Sequence, residues 1–303
     1  MTEPEHYPSA SGVEAAIKDA AKKATAADPA LSVNERIRLE YFNRFLSRVF
    51  SEGADSEWLF KGGAGMLARV PSTRATLDID LYRDRFTLDQ PLAELRRLAT
   101  SDLGDHFRFQ YAGHDTSVGG EAQPYTEGYV VTFDVFIGPR SKGTLHVDLA
   151  VGVGATAPVT TANPANALHL PRLVHHAYRL YPIVDQMADK VCATMQTYRG
   201  RASSREKDLV DLVVLAVTQN VDGTALAIAI STETHRRLME PFDHFVVPGE
   251  WGRRYAQLAR PVPYCADYPT VEVARELVTR VIDPALDGRA AGKTWSPGRR
   301  SWA

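Results

Sequence analysis

The sequence predicts an α+β protein in which an N-terminal mixed sheet with flanking helices is followed by a mainly helical C-terminal lobe. Three observations predict it. Segments of period-two alternation, the pattern of half-buried strands, crowd residues 58–151. Apolar residues at helical spacing dominate from Val184 almost to the end. Between the two, Ala155 to about Leu180 shifts to Thr, Ala, Pro and His, the composition of a connector. The expected divisions are 1–30 as a partly frayed extension, 31–155 as the sheet-bearing core, 156–182 as the connector, 183–286 as the helical lobe and 287–303 as a flexible tail.

Taken in order, Val13 to Ala27 is rich in Ala and Lys and reads as a weak surface helix. With Asn34 as N-cap, Ile37, Tyr41, Phe42, Phe45, Leu46 and Val49 trace an amphipathic helix. Trp58-Leu59-Phe60 reads as a short strand running into Gly62-Gly63, with a helix from Ala64 to Arg69. Leu77, Ile79 and Leu81 alternate with Asp78, Asp80 and Tyr82, so both aspartates project from one strand face. A helix over Leu88 to Leu98 leads to strands at Phe107 to Tyr111, Tyr129 to Ile137 and Gly143 to Val151, with a hairpin turning near Gly138-Pro139. Helices are expected over Val184 to Met195, Lys207 to Val217, Thr224 to Leu238, Trp251 to Leu258 and Thr270 to Ile282.

Composition narrows the function classes. At 303 residues, with 44% hydrophobic and 24% charged residues, the chain has the make-up of a globular protein. No apolar run approaches the roughly 18 residues needed to cross a bilayer, and Met1 to Ser11 lacks the basic start and apolar stretch of a secretory leader. A cytoplasmic location is therefore expected. The two cysteines, Cys192 and Cys265, match no metal-ligand spacing, so a bound metal is expected to be held by oxygen. A net charge of -2 removes the strong global field of a nucleic-acid coat. Basic side chains cluster locally instead, as Arg69, Arg74, Arg83 and Arg85 around the aspartate pair and as Arg199, Arg201, Arg205 and Lys207 further on.

The candidate chemistry lies in the first half. Gly62-Gly63, between a strand and a helix, lets phosphate oxygens approach backbone N–H groups and the positive helix N-terminus, although any tight strand-to-helix turn shows the same pair. Asp78 and Asp80 aim two carboxylates into one space, an arrangement that invites a hard cation such as Mg²⁺; a solvated strand face is the bland alternative. The pair starts fifteen residues after Gly63, on the next strand. For a third carboxylate, Asp148 stands opposite the apolar face of Leu145, Val147 and Leu149, and Asp134 competes with it on the preceding strand. Lys190 on its own reads as a solvent-facing lysine, and Asp208 with Asp211 as one side of a salt-bridge ladder.

Together, Lys61-Gly62-Gly63, then Arg74-x-Thr76-x-Asp78-Ile79-Asp80-Leu81, then Lys190, then Arg205-x-x-Asp208-x-x-Asp211-Leu212 resemble the ordered motifs of the AbiEii/AbiGii-type toxin family, within the DNA polymerase β-like nucleotidyltransferases. The resemblance spans roughly Trp58 to Leu215. It implies a nucleotidyltransferase-like core and a toxin that transfers a nucleotide from an NTP with release of pyrophosphate. Its implied partners are an RNA acceptor, with the 3′ end of tRNA as target, and a cognate antitoxin; protein nucleotidylation and a non-catalytic nucleotide- or antitoxin-binding module are the alternatives. By the same resemblance Asp78, Asp80, Lys190 and Asp211 are expected catalytic residues; Asp148, picked out by alternation in Val147-Asp148-Leu149, joins them, and Asp78, Asp80 and Asp148 are the expected Mg²⁺ ligands. Lys61, Gly62, Gly63, Arg74, Thr76 and Asp208 are expected to bind the nucleotide.

Overall fold

A computed structural model describes residues 6–71, 76–84, 87–116, 127–152, 154–198 and 200–303. The chain forms two compact units. The first carries the sheet and includes Thr160–Leu180; the second takes in Ala155–Val159 and Tyr181–Ala303. No helix among the described residues is long and apolar enough to cross a membrane.

In the first unit, α1 (Ala10–Ala27) and α2 (Val33–Val49) precede β1 (Trp58–Lys61), α3 (Gly62–Arg69), β2 (Asp78–Asp84) and α4 (Asp89–Ala99). Then come β3 (Phe107–Asp115), β4 (Glu127–Ile137), β5 (Arg140–Gly152), β6 (Thr160–Ala162) and β7 (Tyr178–Leu180). The strands form one mixed sheet in the order β3-β4-β5-β2-β1-β7-β6. β2 lies in its middle, antiparallel to β1 and parallel to β5. Ile79, Leu81, Val131, Phe133, Val147 and Leu149 are completely buried on one sheet face, where they share a core with Phe45 of α2 and Leu95 of α4.

Several elements depart from the sequence reading. α1 is no loose surface helix, because Val13, Ile17 and Ala21 form a narrow stripe that is wholly buried. The cap of α2 is Ser32 and not Asn34: Ser32 Oγ accepts from the Glu35 amide while Glu35 Oε2 accepts from the Ser32 amide at 2.7 Å, a reciprocal capping box. Leu77 falls just outside β2 and is exposed. The stretch read as a connector supplies β6 and β7 to the sheet, β7 pairing in parallel with β1 at Phe60 and Leu180.

Buried polar contacts hold that stretch in place. Arg44 and Glu40, both fully buried on α2, pair at 2.8 Å, and Arg44 also donates to the Val174 carbonyl at 2.8 Å. Its Nη2 lies 2.6 Å from Nδ1 of His175, whose pKa is pushed down to about 4 by burial and then by the neighbouring Arg44 and His176 charges. The Tyr178 hydroxyl donates to Asn43 at 3.0 Å. One turn further along α2, Arg48 grips Asp105 with two hydrogen bonds of 2.9 and 2.7 Å. Periodicity could not show this, since α2 buries charged residues on the side that an amphipathic helix normally leaves wet.

The second unit packs α5 (Ile183–Met195), α6 (Glu206–Thr218), α7 (Gly223–Arg236), α8 (Arg253–Ala259) and α9 (Val271–Leu286) around the buried Leu209 to Leu215 run of α6. A small sheet joins β8 (Val221–Asp222) to β9 (Thr294–Ser296) and β10 (Ser301–Trp302). The expected flexible tail is thus folded. Trp295 is 1% exposed and its indole donates to the Ala216 carbonyl at 2.7 Å, enough apolar surface and hydrogen bonding to hold a segment otherwise rich in Gly and Arg.

Candidate functional site

The alternation along β2 divides its side chains between two environments. Ile79 and Leu81 are sealed in the core, and Asp78 and Asp80 stand half-buried on the opposite face. Strand register then decides their neighbours. Asp80 is directly opposite Lys61 of β1 and Asp148 of β5, and Asp78 is opposite His146. Residues paired in this way share a face with backbones about 4.8 Å apart. Lys61, Asp80 and Asp148 therefore form one row across three strands, with Asp78 and His146 in the next. A cation beside three clustered carboxylates eases their mutual repulsion; the Lys61 ammonium also lies 5.6 Å from the centre of the Tyr82 ring.

Asp134 is displaced from this group. It sits opposite Thr144, four residues from Asp148 along β5, which at strand rise is about 13 Å. Among the described residues no three His, Cys, Asp or Glu side chains close into a ready-made metal cage, so the three aspartates share a face without forming a finished coordination sphere.

The glycine turn abuts the same carboxylates. α3 starts directly after β1, and Gly62 takes φ +67°, a left-handed conformation that costs side-chain-bearing residues energy. A Cβ on Gly62 would fall within the Asp80 carboxylate, so conformation and space both demand glycine. Lys61 makes no side-chain cap hydrogen bond to the helix. Gly63 is buried in its first turn, and Gly65 lets the helix pass close to the Phe60 carbonyl. Gly62→Ala is expected to displace the Asp80 carboxylate, to reduce any activity that depends on it by about a hundredfold or more, and to cost about 1–3 kcal/mol of stability. Activity and thermal denaturation of the variant check this.

Among the described residues, two other basic side chains near the pair in sequence have partners away from it. Arg83 lies on the core side of β2, paired with Glu57 and over the Trp58 ring. Arg69 donates to Thr160 Oγ1 at 3.1 Å. Thr76 is buried just ahead of β2, its hydroxyl 3.4 Å from the Asp78 carbonyl. Arg74, Arg85 and Arg199 lie outside the described residues.

A second charged cluster lies within the second unit. Lys190 on α5 is buried, contrary to the solvent-facing expectation, and its ammonium meets Asp208 at 3.1 Å and Asp211 at 2.6 Å on α6. The i, i+3 spacing turns both aspartates toward α5. Arg205 Nε donates to the second oxygen of Asp208 at 2.7 Å. Burial pushes the Asp208 carboxyl up, but the Lys190 and Arg205 charges and their hydrogen bonds outweigh it, leaving the carboxyl well below the usual range. Sequence reading missed Arg237 of this unit, a buried guanidinium paired with Asp189 and with Glu233 at 2.6 Å and bonded to Gln196 at 3.0 Å. Its position at the end of an ordinary-looking helix gave no signal.

The family described as "Nucleotidyl transferase AbiEii toxin, Type IV TA system" matches residues 44–277, from within α2 to within α9. The chain belongs to the AbiEii family. This AbiEii protein is accordingly a nucleotidyltransferase of a type IV toxin–antitoxin system, and the family implies an NTP substrate and an antitoxin partner. Two solved structures are distantly similar to it. JHP933 from Helicobacter pylori is 14% identical with a TM-score of 0.43, covering 84% of this chain and 94% of its own. A "putative nucleotidyltransferase from H. pylori" is 14% identical with a TM-score of 0.44, covering 84% and 96%. Likeness at that level adds nothing about the site. No curated protein matches the AbiEii chain.

Proposed function

We propose that this protein transfers a nucleotide from an NTP to the 3′ end of an RNA, with tRNA as the acceptor, and thereby blocks translation in the cytoplasm until a cognate antitoxin restrains it. The observation that carries the reading is the row of Asp80 and Asp148, with Asp78 beside them, on one sheet face against the Gly62 turn. Asp78, Asp80 and Asp148 offer hard carboxylate oxygens, the donor set that suits Mg²⁺. That cation, when bound, supplies Lewis-acid neutralisation of phosphate charge.

The protein's own residues do the rest. Backbone N–H groups at Gly62 and Gly63, at the positive end of α3, draw the triphosphate in, with Lys61 and Thr76 assisting and Arg74 assigned to the nucleotide by motif order alone. Asp148 accepts the proton of the incoming ribose hydroxyl. The new bond joins that oxygen to the α-phosphorus as the bond to pyrophosphate breaks, and pyrophosphate departs. In the second unit, Lys190 with Asp208 and Asp211 serves nucleotide binding and turnover, as the motif order implies. Arg201 and Lys207 are exposed and suited to an RNA backbone, while Arg205 is committed to Asp208.

Each labelled NTP, incubated with the pure protein and total RNA or a protein lysate, tests this. Label is expected on RNA, lost after removal of the 3′-terminal nucleotide. Label confined to protein would establish nucleotidylation of hydroxyl side chains instead, and tight nucleotide binding with no pyrophosphate release would reduce the chain to a binding module.

A further inference from the structure

The two flanks of β2 differ in what they present. On the β1 side stand Lys61 and the glycine turn at the start of α3. On the β5 side, His146 stands opposite Asp78, next along the same face from Asp148. His146 is exposed, and its Nδ1 lies 3.2 Å from Oγ1 of Thr132, its cross-strand partner on β4. That bond orients the ring and leaves its second nitrogen, Nε2, for an incoming group.

An in-line displacement puts the attacking oxygen and the departing pyrophosphate on opposite sides of the α-phosphorus. A glycine turn that draws the phosphates toward β1 therefore sends the acceptor in over β5. Beside Asp148, the polar side chains it meets there are His146 and Thr132. Asp134, a further pair along β4, comes after them.

We infer that His146, held by Thr132, is an acceptor-positioning residue that hydrogen-bonds the ribose of the RNA's terminal nucleotide. The inference rests on the carboxylate site proposed above and adds to it the side from which the acceptor enters. A single hydrogen bond of this kind changes affinity by about tenfold.

The test uses the full chain with labelled NTP and RNA. His146→Ala is expected to raise KM for RNA about tenfold while KM for NTP and the melting temperature stay as in the parent protein. His146→Gln, whose amide reaches toward the Nε2 position, is expected to recover most of the loss. Thr132→Val, which unhooks the ring, is expected to shift the RNA KM in the same direction by less. An unchanged RNA KM in His146→Ala, or a rise confined to the NTP KM, overturns the inference. Asp80→Ala run alongside separates the two levels: activity in that variant defeats the carboxylate site itself, whereas an inactive Asp80→Ala with an unaltered RNA KM in His146→Ala defeats only the assignment of His146.

Discussion

Asp80→Ala is expected to lower nucleotidyl transfer by on the order of a thousandfold while leaving the protein folded. Asp80 is the centre of the row, flanked by Lys61 and Asp148 and touched by the Gly62 turn. On the proposed reading its carboxylate bears on phosphate approach and on cation binding together. It is half-buried and lies outside the apolar core, so its truncation removes little apolar packing, and it relieves repulsion from Asp78 and Asp148. The melting temperature is expected to stay within a few degrees of the parent or to rise. Undiminished labelling of acceptor by Asp80→Ala would remove the catalytic assignment.

Lys190→Met is expected to show the opposite signature, losing stability as well as activity. The substitution removes the ammonium that meets two buried carboxylates, and taking one member out of a buried ionic cluster costs about 3–5 kcal/mol. The pH dependence supplies a second check. A carboxyl held below its unfolded value contributes stability that is complete above that value, near pH 4, and is lost as pH falls toward the folded one. Asp208 is such a group in the parent protein. Without Lys190 its buried carboxyl takes up a proton more readily, so the deficit of Lys190→Met is expected to be greatest near neutrality and to shrink on acidification. Denaturant titration followed by tryptophan fluorescence measures it, since Trp251, Trp295 and Trp302 all lie in the second unit. A deficit that does not vary with pH would mean that packing, not charge, sets the role of Lys190.

Period-two alternation placed the two aspartates of β2 on one face because strand geometry allows nothing else. It favoured Asp148 but kept Asp134 as a competitor, since both stand opposite apolar faces, and pairing register is what separates their positions: Asp148 falls beside Asp80 and Asp134 four pairs away. His146 went unassigned for the same reason. Its significance depends on facing Asp78 across a parallel pair, and parallel pairing joins residues that no local pattern relates. Lys190 was legible only through motif order, because helical periodicity cannot distinguish a lysine that reaches water from one swallowed by two aspartates. The Trp295 segment read as loose because its composition is polar, yet one indole anchors it.

The parallel seam between β2 and β5 carries a further implication. Asp80 and Asp148 belong to stretches of chain separated by α4, β3 and β4, so they meet only once β5 has docked alongside β2. Partly folded or truncated intermediates lacking that docking hold Asp80 and Asp148 apart. If the proposed carboxylate site is the seat of transfer, activity then arises only in molecules whose β2–β5 seam has closed.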